Sequence, residues 1–429
     1  MNWIQVKMSS FLEERKQHFS PQDKEISGLQ RIEKIDFSGK IYLSYKPSKT
    51  KMILIKNNDL VISGINVAKG AMNVYYGEKD ILATIHYSSY VYDNKKIDIH
   101  FLQYFLKSAE FKLLLKNQVP GGIKTEIKPK HLLPLKVFIP SNIEDQKKIV
   151  NYLNHQSSRI QLLSNNINYQ NQLLPKLKQS ILKESIEGKL SKDWRVENQN
   201  IEPACELLER VKAVKEQLIA DNKIKREKPL SKIIEKENSF KLPNSWTWCR
   251  LGDIIILQSG SDLVKSKYND KSNGVPYLTG ATNFKNNEIN INRWTSSPKS
   301  ISVKGDLLLT CKGTIGKMAI NLIGKIHIAR QVMAVRANDN LDIEYIKYVI
   351  QNNVKDLQEN SKSLIPGISR KDVLEIKTPL PPLEEQKEIV KKIESLMQKY
   401  DQLEEETKTS EANAEMLMQS VLQEAFNNQ

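Results

Sequence analysis

Much of this 429-residue chain is written twice. IEDQKKIVNYL, from Ile143, lies over LEEQKEIVKKI, from Leu383, and aligning Gln146 with Gln386 sets an offset of 240 (386 − 146). The same offset holds a full helix later, where KQSILKES (Lys178 to Ser185) lies over MQSVLQEA (Met418 to Ala425). Agreement at both ends of one register marks an internal repeat, and a repeat constrains the fold more tightly than any local propensity. The match extends upstream with small shifts. KIDIHFLQYFLKS (Lys96 to Ser108) resembles NLDIEYIKYVIQN (Asn340 to Asn352), and NNDLVIS (Asn57 to Ser63) matches KGDLLLT (Lys304 to Thr310). The starts correspond loosely, Trp3-Ile4-Gln5-Val6 against Trp248-Cys249-Arg250-Leu251. The chain therefore runs module, helix, linker, module, helix.

Short alternating or apolar runs separated by Gly, Asn, Ser and Pro give each module a β-rich pattern. One helical period interrupts it, at Ile99, Leu102, Phe105 and Leu106 in the first copy and Ile343, Ile346, Val349 and Ile350 in the second. Each module is therefore expected to be α+β. The expected segments are a first module at 1–141, a long helix at 142–190, a charged linker with a helix at 191–243, a second module at 244–382 and a second long helix at 383–429.

The long helices carry a different signature. Ile149, Leu153, Ile160, Leu163, Ile167, Leu174, Leu177 and Ile181 mostly step by alternate threes and fours. In the second helix Ile389, Ile393, Leu396, Tyr400, Leu403, Ala414, Leu417 and Val421 fall in the same frame. A seam repeating every seven residues asks for a helical partner along its length, and two seams in register suit each other. The alternative is two amphipathic helices, each packed on its own module. Pro175 should kink or restart the first helix, and Thr407 and Ser410 should loosen the second seam. In the linker, CELLERVKAVKEQL can form one helix, and the charged run KIKREKPL is expected to be a solvated connector.

Composition narrows the function. Hydrophobic residues are 39% and charged residues 27%, the balance of a soluble globular protein. No apolar run approaches a membrane span, and MNWIQVKMSSFLEERKQ has charges where a signal peptide needs its apolar stretch. Three widely spaced cysteines, Cys205, Cys249 and Cys311, argue against a disulfide framework or a four-cysteine zinc site and fit a reducing cytoplasm. The net charge of +15 favours a polyanionic partner, nucleic acid before an anionic membrane.

LLLTCKGTIGKMAI (Leu307 to Ile320) begins as a phosphate-cradling loop would. A P-loop would need glycine where Cys311 stands and a hydroxyl where Met318 stands, so nucleotide binding is not expected. Its counterpart is LVISGINVAKGAMNV (Leu60 to Val74). Both copies read as a strand, a glycine-containing turn with one or two lysines, and a return strand. The frame is shared and the tips differ, as suits two recognition loops reading different targets.

TPLPPLEEQKEIVKKI, from Thr378, resembles the conserved-region signature of type I restriction–modification specificity subunits, as do KLPNSWTWCRLGDI, from Lys241, and ILKESIEGKL, from Ile181. The resemblance covers essentially the whole chain. It departs in the first module, which has no clear counterpart of the Trp246 to Asp253 opening and joins its helix through FIPSNIEDQ rather than PLPPLEEQ. The resemblance implies two α+β target-recognition domains, joined by two long helices packed antiparallel as a coiled coil, with a pseudo-twofold internal repeat. It further implies double-stranded DNA as ligand, two methyltransferase subunits docked on the helices, and restriction and translocase subunits joined through them, in the cytoplasm. The alternatives are a specificity subunit for a methyltransferase–nuclease without a motor, and a coiled-coil scaffold with two protein-binding modules.

No methyltransferase tetrapeptide (Asn/Asp-Pro-Pro-aromatic), dinucleotide fingerprint or metal-ligand spacing of histidines occurs in the sequence, so neither catalysis nor a cofactor is expected of the chain itself. Two Glu-x-Lys triplets, Glu126 to Lys128 and Glu375 to Lys377, have the form of nuclease half-sites but arise readily in so charged a chain. Under the DNA reading, lysines and arginines fix the protein on phosphates while polar tips read base edges. By charge and loop position the candidate contacts in the first module are Lys46, Lys49, Lys51, Asn66, Lys69 and Lys124. In the second they are Lys265, Lys267, Asn283, Lys312, Thr314, Lys317, Arg330 and Gln331. The helix starts at Gln146 and Gln386, with the exposed faces of the long helices, are the expected docking surface for methyltransferases.

Overall fold

The computed structural model describes residues 1–118, 126–234, 240–285, 288–359 and 367–426. It is mixed α and β, and its contacts divide into two units: Met1–Gln170 with Glu406–Gln429, and Asn171–Glu405. This division cuts both long helices rather than setting them apart from the modules. The reason is burial, because the ends of these helices complete the module cores.

In the first unit the chain enters and leaves the module along one two-stranded antiparallel ladder, Trp3–Lys7 against Lys136–Pro140, with Trp3 opposite Pro140. Inside lies a four-stranded sheet in the order Leu12–Glu14, Tyr87–Tyr92, Leu60–Ser63, Met72–Val74. A five-stranded sheet adds His18–Phe19, Met52–Ile55, Ile81–Thr84, Arg31–Ile35 and Ile41–Ser44. The module helix Ile99–Lys107 starts where the Asp98 carboxylate accepts from the backbone N–H groups of His100 (3.0 Å) and Phe101 (2.9 Å), satisfying two otherwise orphaned donors. All four residues of its expected apolar face are buried. Phe426, near the end of the second long helix, packs edge-on against Phe101 and Phe105 at centroid distances of 5.4 and 5.6 Å. The first long helix runs Ile143–Ile186. Its Ile149, Val150, Leu153 and Ile160 share this core with Val421, Leu422 and Ala425.

The second unit repeats the plan. Thr247–Arg250 pairs with Lys377–Leu380, again with a tryptophan, Trp248, opposite a proline, Pro379. The loose sequence match at the module starts is therefore one register in both. Its four-stranded sheet runs Ile256–Ser259, Val332–Arg336, Leu307–Thr310, Met318–Ile320. The helix Ile343–Glu359 is capped by Asp342 as its counterpart is by Asp98. The second long helix, Leu383–Phe426, contributes Ile389, Val390 and Ile393 to a core shared with Ile181, Leu182 and Ile186.

The expected linker helix forms, at Ala204–Ala220, and buries Ala204, Leu207, Leu208 and Val211 in the second core, while the charged run at 223–230 stays largely exposed. Lys215 donates to the carbonyls of Gly252 and Ile255, and Arg370 pairs with Glu227. Three sequence expectations are corrected. Pro175 does not interrupt the first long helix, which continues through it. Pro175 lies on the exposed face, where solvent can serve the carbonyl its missing N–H leaves free. Leu163, Leu177, Leu403 and Leu417, expected in the seams, are 43%, 41%, 46% and 45% exposed. They are the same two positions in each copy, since 403 − 163 and 417 − 177 both give the repeat offset. Thr407, expected to weaken the second seam, is buried.

A buried charge network ties the second long helix to the linker. The Glu385 carboxylate is fully buried and accepts from Ser191 Oγ (2.7 Å), Trp246 Nε1 (2.8 Å) and the Arg195 guanidinium. Replacing Glu385 leaves the Arg195 guanidinium without its counter-charge and Trp246 Nε1 without its acceptor. Glu385→Ala is expected to destabilise the chain by about 3–5 kcal/mol in urea unfolding, while Glu384→Ala, at an exposed neighbour, changes the midpoint little.

Candidate nucleic-acid interface

Both glycine-lysine loops are hairpins. Leu60 pairs with Val74 and Ile62 with Met72, while Leu307 pairs with Ile320 and Leu309 with Met318. Each hairpin follows a tight turn fixed by a buried aspartate. Asp59 accepts from Lys56 N (2.9 Å), Ser89 Oγ (2.8 Å) and both arms of Arg15 (2.6 and 2.7 Å). Asp306 accepts from Val303 N (2.8 Å) and from Arg336 (2.7 and 2.9 Å). These bidentate bonds raise the pKa of both guanidiniums, so the arginines stay charged. The aspartate is common to the copies, but its arginine comes from a different strand in each.

The tips differ in construction. In the first unit the turn is a short 3-10 segment, Val67–Lys69, closed by Gly70 at φ +95°. A Cβ there would stand 2.7 Å from the Phe37 carbonyl oxygen, so the close approach requires glycine. Lys69 is exposed, with its ammonium 5.3 Å from the Phe37 ring centroid. Asn66 precedes the turn and makes no side-chain cap. Lys46, Lys49 and Lys51 are exposed in the loop between Ile41–Ser44 and Met52–Ile55, where Lys46 pairs with Glu33 at 3.1 Å. Lys124 lies outside the described residues.

In the second unit four candidates meet at one sheet end. Thr310 pairs with Val332, Cys311 N donates to the Gln331 carbonyl (2.8 Å), and Lys312 bridges to Gly367. Lys312, Thr314, Arg330 and Gln331 are exposed there. Arg330 pairs with Asp262 at 2.8 Å, which holds the loop leading to the exposed Lys265 and Lys267 beside this end. Burial pushes the Cys311 thiol pKa up, so this cysteine is a packing residue at the base of the tip.

Several candidates are corrected. Asn283 is buried, and its side chain is consumed internally. Its Oδ1 accepts from Thr279 N (3.0 Å), Thr279 Oγ1 (2.9 Å) and Gly280 N (3.3 Å), while Nδ2 donates to the Asn290 carbonyl (2.8 Å) and Asn292 Oδ1 (3.2 Å). It braces a loop and has no free edge for a base. Lys317 is partly engaged, donating to the carbonyls of Ala281 (3.2 Å) and Phe284 (3.4 Å). Gln146 and Gln386 are fully buried and present nothing to a partner. Gln146 Oε1 accepts from Asp98 N (2.7 Å), and its Nε2 donates to the carbonyls of Lys96 (3.1 Å) and Pro140 (3.0 Å). Gln386 repeats this with Asp342 N (2.9 Å) and the Pro381 carbonyl (2.9 Å). The Glu-x-Lys triplets are also structural. Glu126 bonds His86 at 3.0 Å, and Glu375 holds Ser231 and Arg250.

Sequence reasoning missed exposed aromatic and cationic side chains beside these tips. Phe37 and Tyr45 are 58% and 73% exposed, and Arg293 lies over the Tyr268 ring at 5.0 Å. Only their exposure sets them apart, and no local pattern carries it.

These assignments make opposite expectations for two polar residues in one module. Asn283→Ala should lower the unfolding free energy by about 1–3 kcal/mol through unsatisfied buried groups. Lys312→Ala should leave the unfolding midpoint unchanged and reduce the log–log salt slope of duplex binding by about 1, as read in salt titrations.

The comparisons agree with this architecture. The type I restriction modification DNA specificity domain family matches residues 243–414. The type I restriction enzyme EcoEI specificity subunit of Escherichia coli is 28% identical over 270 residues, 58% of this chain and 45% of that subunit. The EcoAI specificity subunit of Escherichia coli is 29% identical over 271 residues, 58% of this chain and 44% of that one. The chain thus matches about half the length of these two relatives. The putative MjaX specificity subunit of Methanocaldococcus jannaschii is 26% identical over 351 residues, 79% and 71% of the two chains. Among solved structures, the HsdS subunit from Thermoanaerobacter tengcongensis shares the fold over 99% of this chain and 97% of its own, with a TM-score of 0.65 at 20% identity. A chain from a type I R-M system does so at 0.66 and 19% identity, again over 99% and 97%. These matches make the chain similar to type I restriction–modification specificity subunits, through the family's DNA specificity domain at residues 243–414 and through relatives at 26–29% identity.

Proposed function

We propose that this chain gives sequence specificity to a type I restriction–modification complex by reading a two-part DNA target, one part with each module. The observation that carries this reading is one hairpin frame with two different tips. The buried aspartate and the strand register are common to both copies, whereas Asn66 and Lys69 stand in one turn and Lys312 and Thr314 in the other. A shared scaffold with unlike exposed chemistry suits two recognition elements that read different bases. The surplus of +15 supplies the sequence-independent attraction to phosphates.

In this reading the chain catalyses nothing itself. Its two 44-residue helices form an antiparallel coiled-coil spacer, each roughly 65 Å long at the standard helical rise, so the unread gap between the half-targets follows from helix length. Methyltransferase subunits dock on the outward apolar residues of these helices, and restriction and translocase subunits join through them. Support comes from Leu162, Leu163 and Tyr169 on the first helix and from Leu403, Met416 and Leu417 on the second, all exposed. Solvent-facing leucines recurring at equivalent places in both copies indicate a surface awaiting cover.

Co-expression with the neighbouring methyltransferase in a methylation-free host, followed by genome-wide mapping of modified bases, tests the central claim. An interrupted two-part motif that appears only with this chain is the expected result. Methylation indifferent to the chain, with both proteins soluble, would favour the scaffold alternative. Exchange of residues 244–382 for the equivalent module of a relative should change one half of the motif and leave the other intact. Leu163→Glu and Leu403→Glu should abolish co-purification with the methyltransferase without shifting the thermal midpoint of the isolated chain.

A further inference from the structure

Each unit holds a cleft between its hairpin turn, its module helix and the long helices. The first, of about 420 Å³, is lined by Lys69, His100, Lys107 and Lys112, with Gln103 and Asn154 adding amides. The second, of about 470 Å³, is lined by Lys178, Lys317, Lys347, Tyr348 and Asp401. The clefts are equivalents. Lys69 and Lys317 come from corresponding turns, and Tyr104 and Tyr348 from corresponding module helices.

Their charge balance differs. In the second cleft carboxylates stand with the cations. Lys317 bonds two carbonyls, Lys347 pairs with Glu344, Lys178 lies 5.4 Å from the Tyr400 ring centroid, and Asp401 adds a carboxylate. Among the described residues no carboxylate lines the first cleft. There Lys107 is half-buried, and its ammonium donates one long bond, 3.4 Å, to the Ser38 carbonyl. Lys112 has no ionic partner among the described residues. Lys69 stands at the rim against Phe37. Desolvation without a counter-charge lowers the Lys107 pKa, the mark of a cation that lacks its anion. Three lysines and a histidine line one open cleft, a cationic lining that suits the charge of an oxyanion.

We infer that the cleft of the first unit is a phosphate-binding site, with Lys107 and Lys112 as the principal cations, and that its counterpart in the second unit is not. The phosphate can come from a DNA backbone or from free phosphate.

Titration calorimetry of the full chain with inorganic phosphate, at ionic strength held constant with sodium chloride, tests this directly. One saturable site is expected. Lys107→Met should weaken it about tenfold or more, the loss of one charge-assisted bond. Lys107→Arg should retain it, which separates loss of charge from loss of fold, and Lys347→Met in the other cleft should leave it unchanged. Absence of a saturable site, an unaltered isotherm in Lys107→Met, or equal loss in Lys347→Met would overturn the inference. Repeating the titration with a DNA duplex bound identifies the source. Abolished phosphate binding assigns the cleft to a backbone phosphate, and persistent binding assigns it to free phosphate. The first titration contains no DNA, so its outcome is separable from the fate of the proposed recognition function.

Discussion

The organisation of this protein depends on two buried glutamine amides. Gln146 and Gln386 stand in the first turns of the long helices, and each turns its side chain inward to bridge the start of the module helix and the module's exit strand. A primary amide offers both donor and acceptor, so one residue satisfies an N–H at the module helix cap and a carbonyl at the strand exit. Each bond is modest, on the order of 1 kcal/mol net, but the groups it serves are buried and would be costly to leave unpaired. The result is a defined direction for each long helix as it leaves its module.

Burial completes what the amides begin. In the first unit the cluster of Phe101, Phe105 and Phe111 is closed by Phe426 from the far end of the chain. In the second, Ile181, Leu182 and Ile186 meet Ile389, Val390 and Ile393 over the module helix. Each core is therefore built from segments remote in sequence. Glu385 adds a charged counterpart to this apolar closure, binding the linker through Ser191 and Arg195 and the module opening through Trp246.

On this framework the hairpin tips are free to vary because their bases are not. Asp59 and Asp306 fix the turn before each hairpin, and each recruits an arginine from whichever strand can supply one. The same economy withdraws polar residues from recognition. Asn283 has the side chain suited to reading adenine, yet all of its polar atoms are bonded within the module. Residue type names what a side chain can do, and its neighbours decide whether it is available.

The duplication, the two glycine-turn hairpins, the apolar faces of the module helices and the extent of the long helices can be read from the residues alone, because each leaves a local period or a recurring register. Even the loose match of Trp3 with Trp248 marked one ladder position in both copies. Which members of those patterns face inward is set by packing between segments distant in sequence. That packing leaves Leu163, Leu177, Leu403 and Leu417 outside the seams, docks a highly charged linker through Leu207 and Val211, and buries Gln146, Gln386 and Asn283. It also brings Lys107 and Lys112 together with Lys69. The physical reason is that a hydrophobic period is fixed by the geometry of one helix or strand. The partner that satisfies a polar group, or covers a leucine, comes from a segment tens to hundreds of residues away.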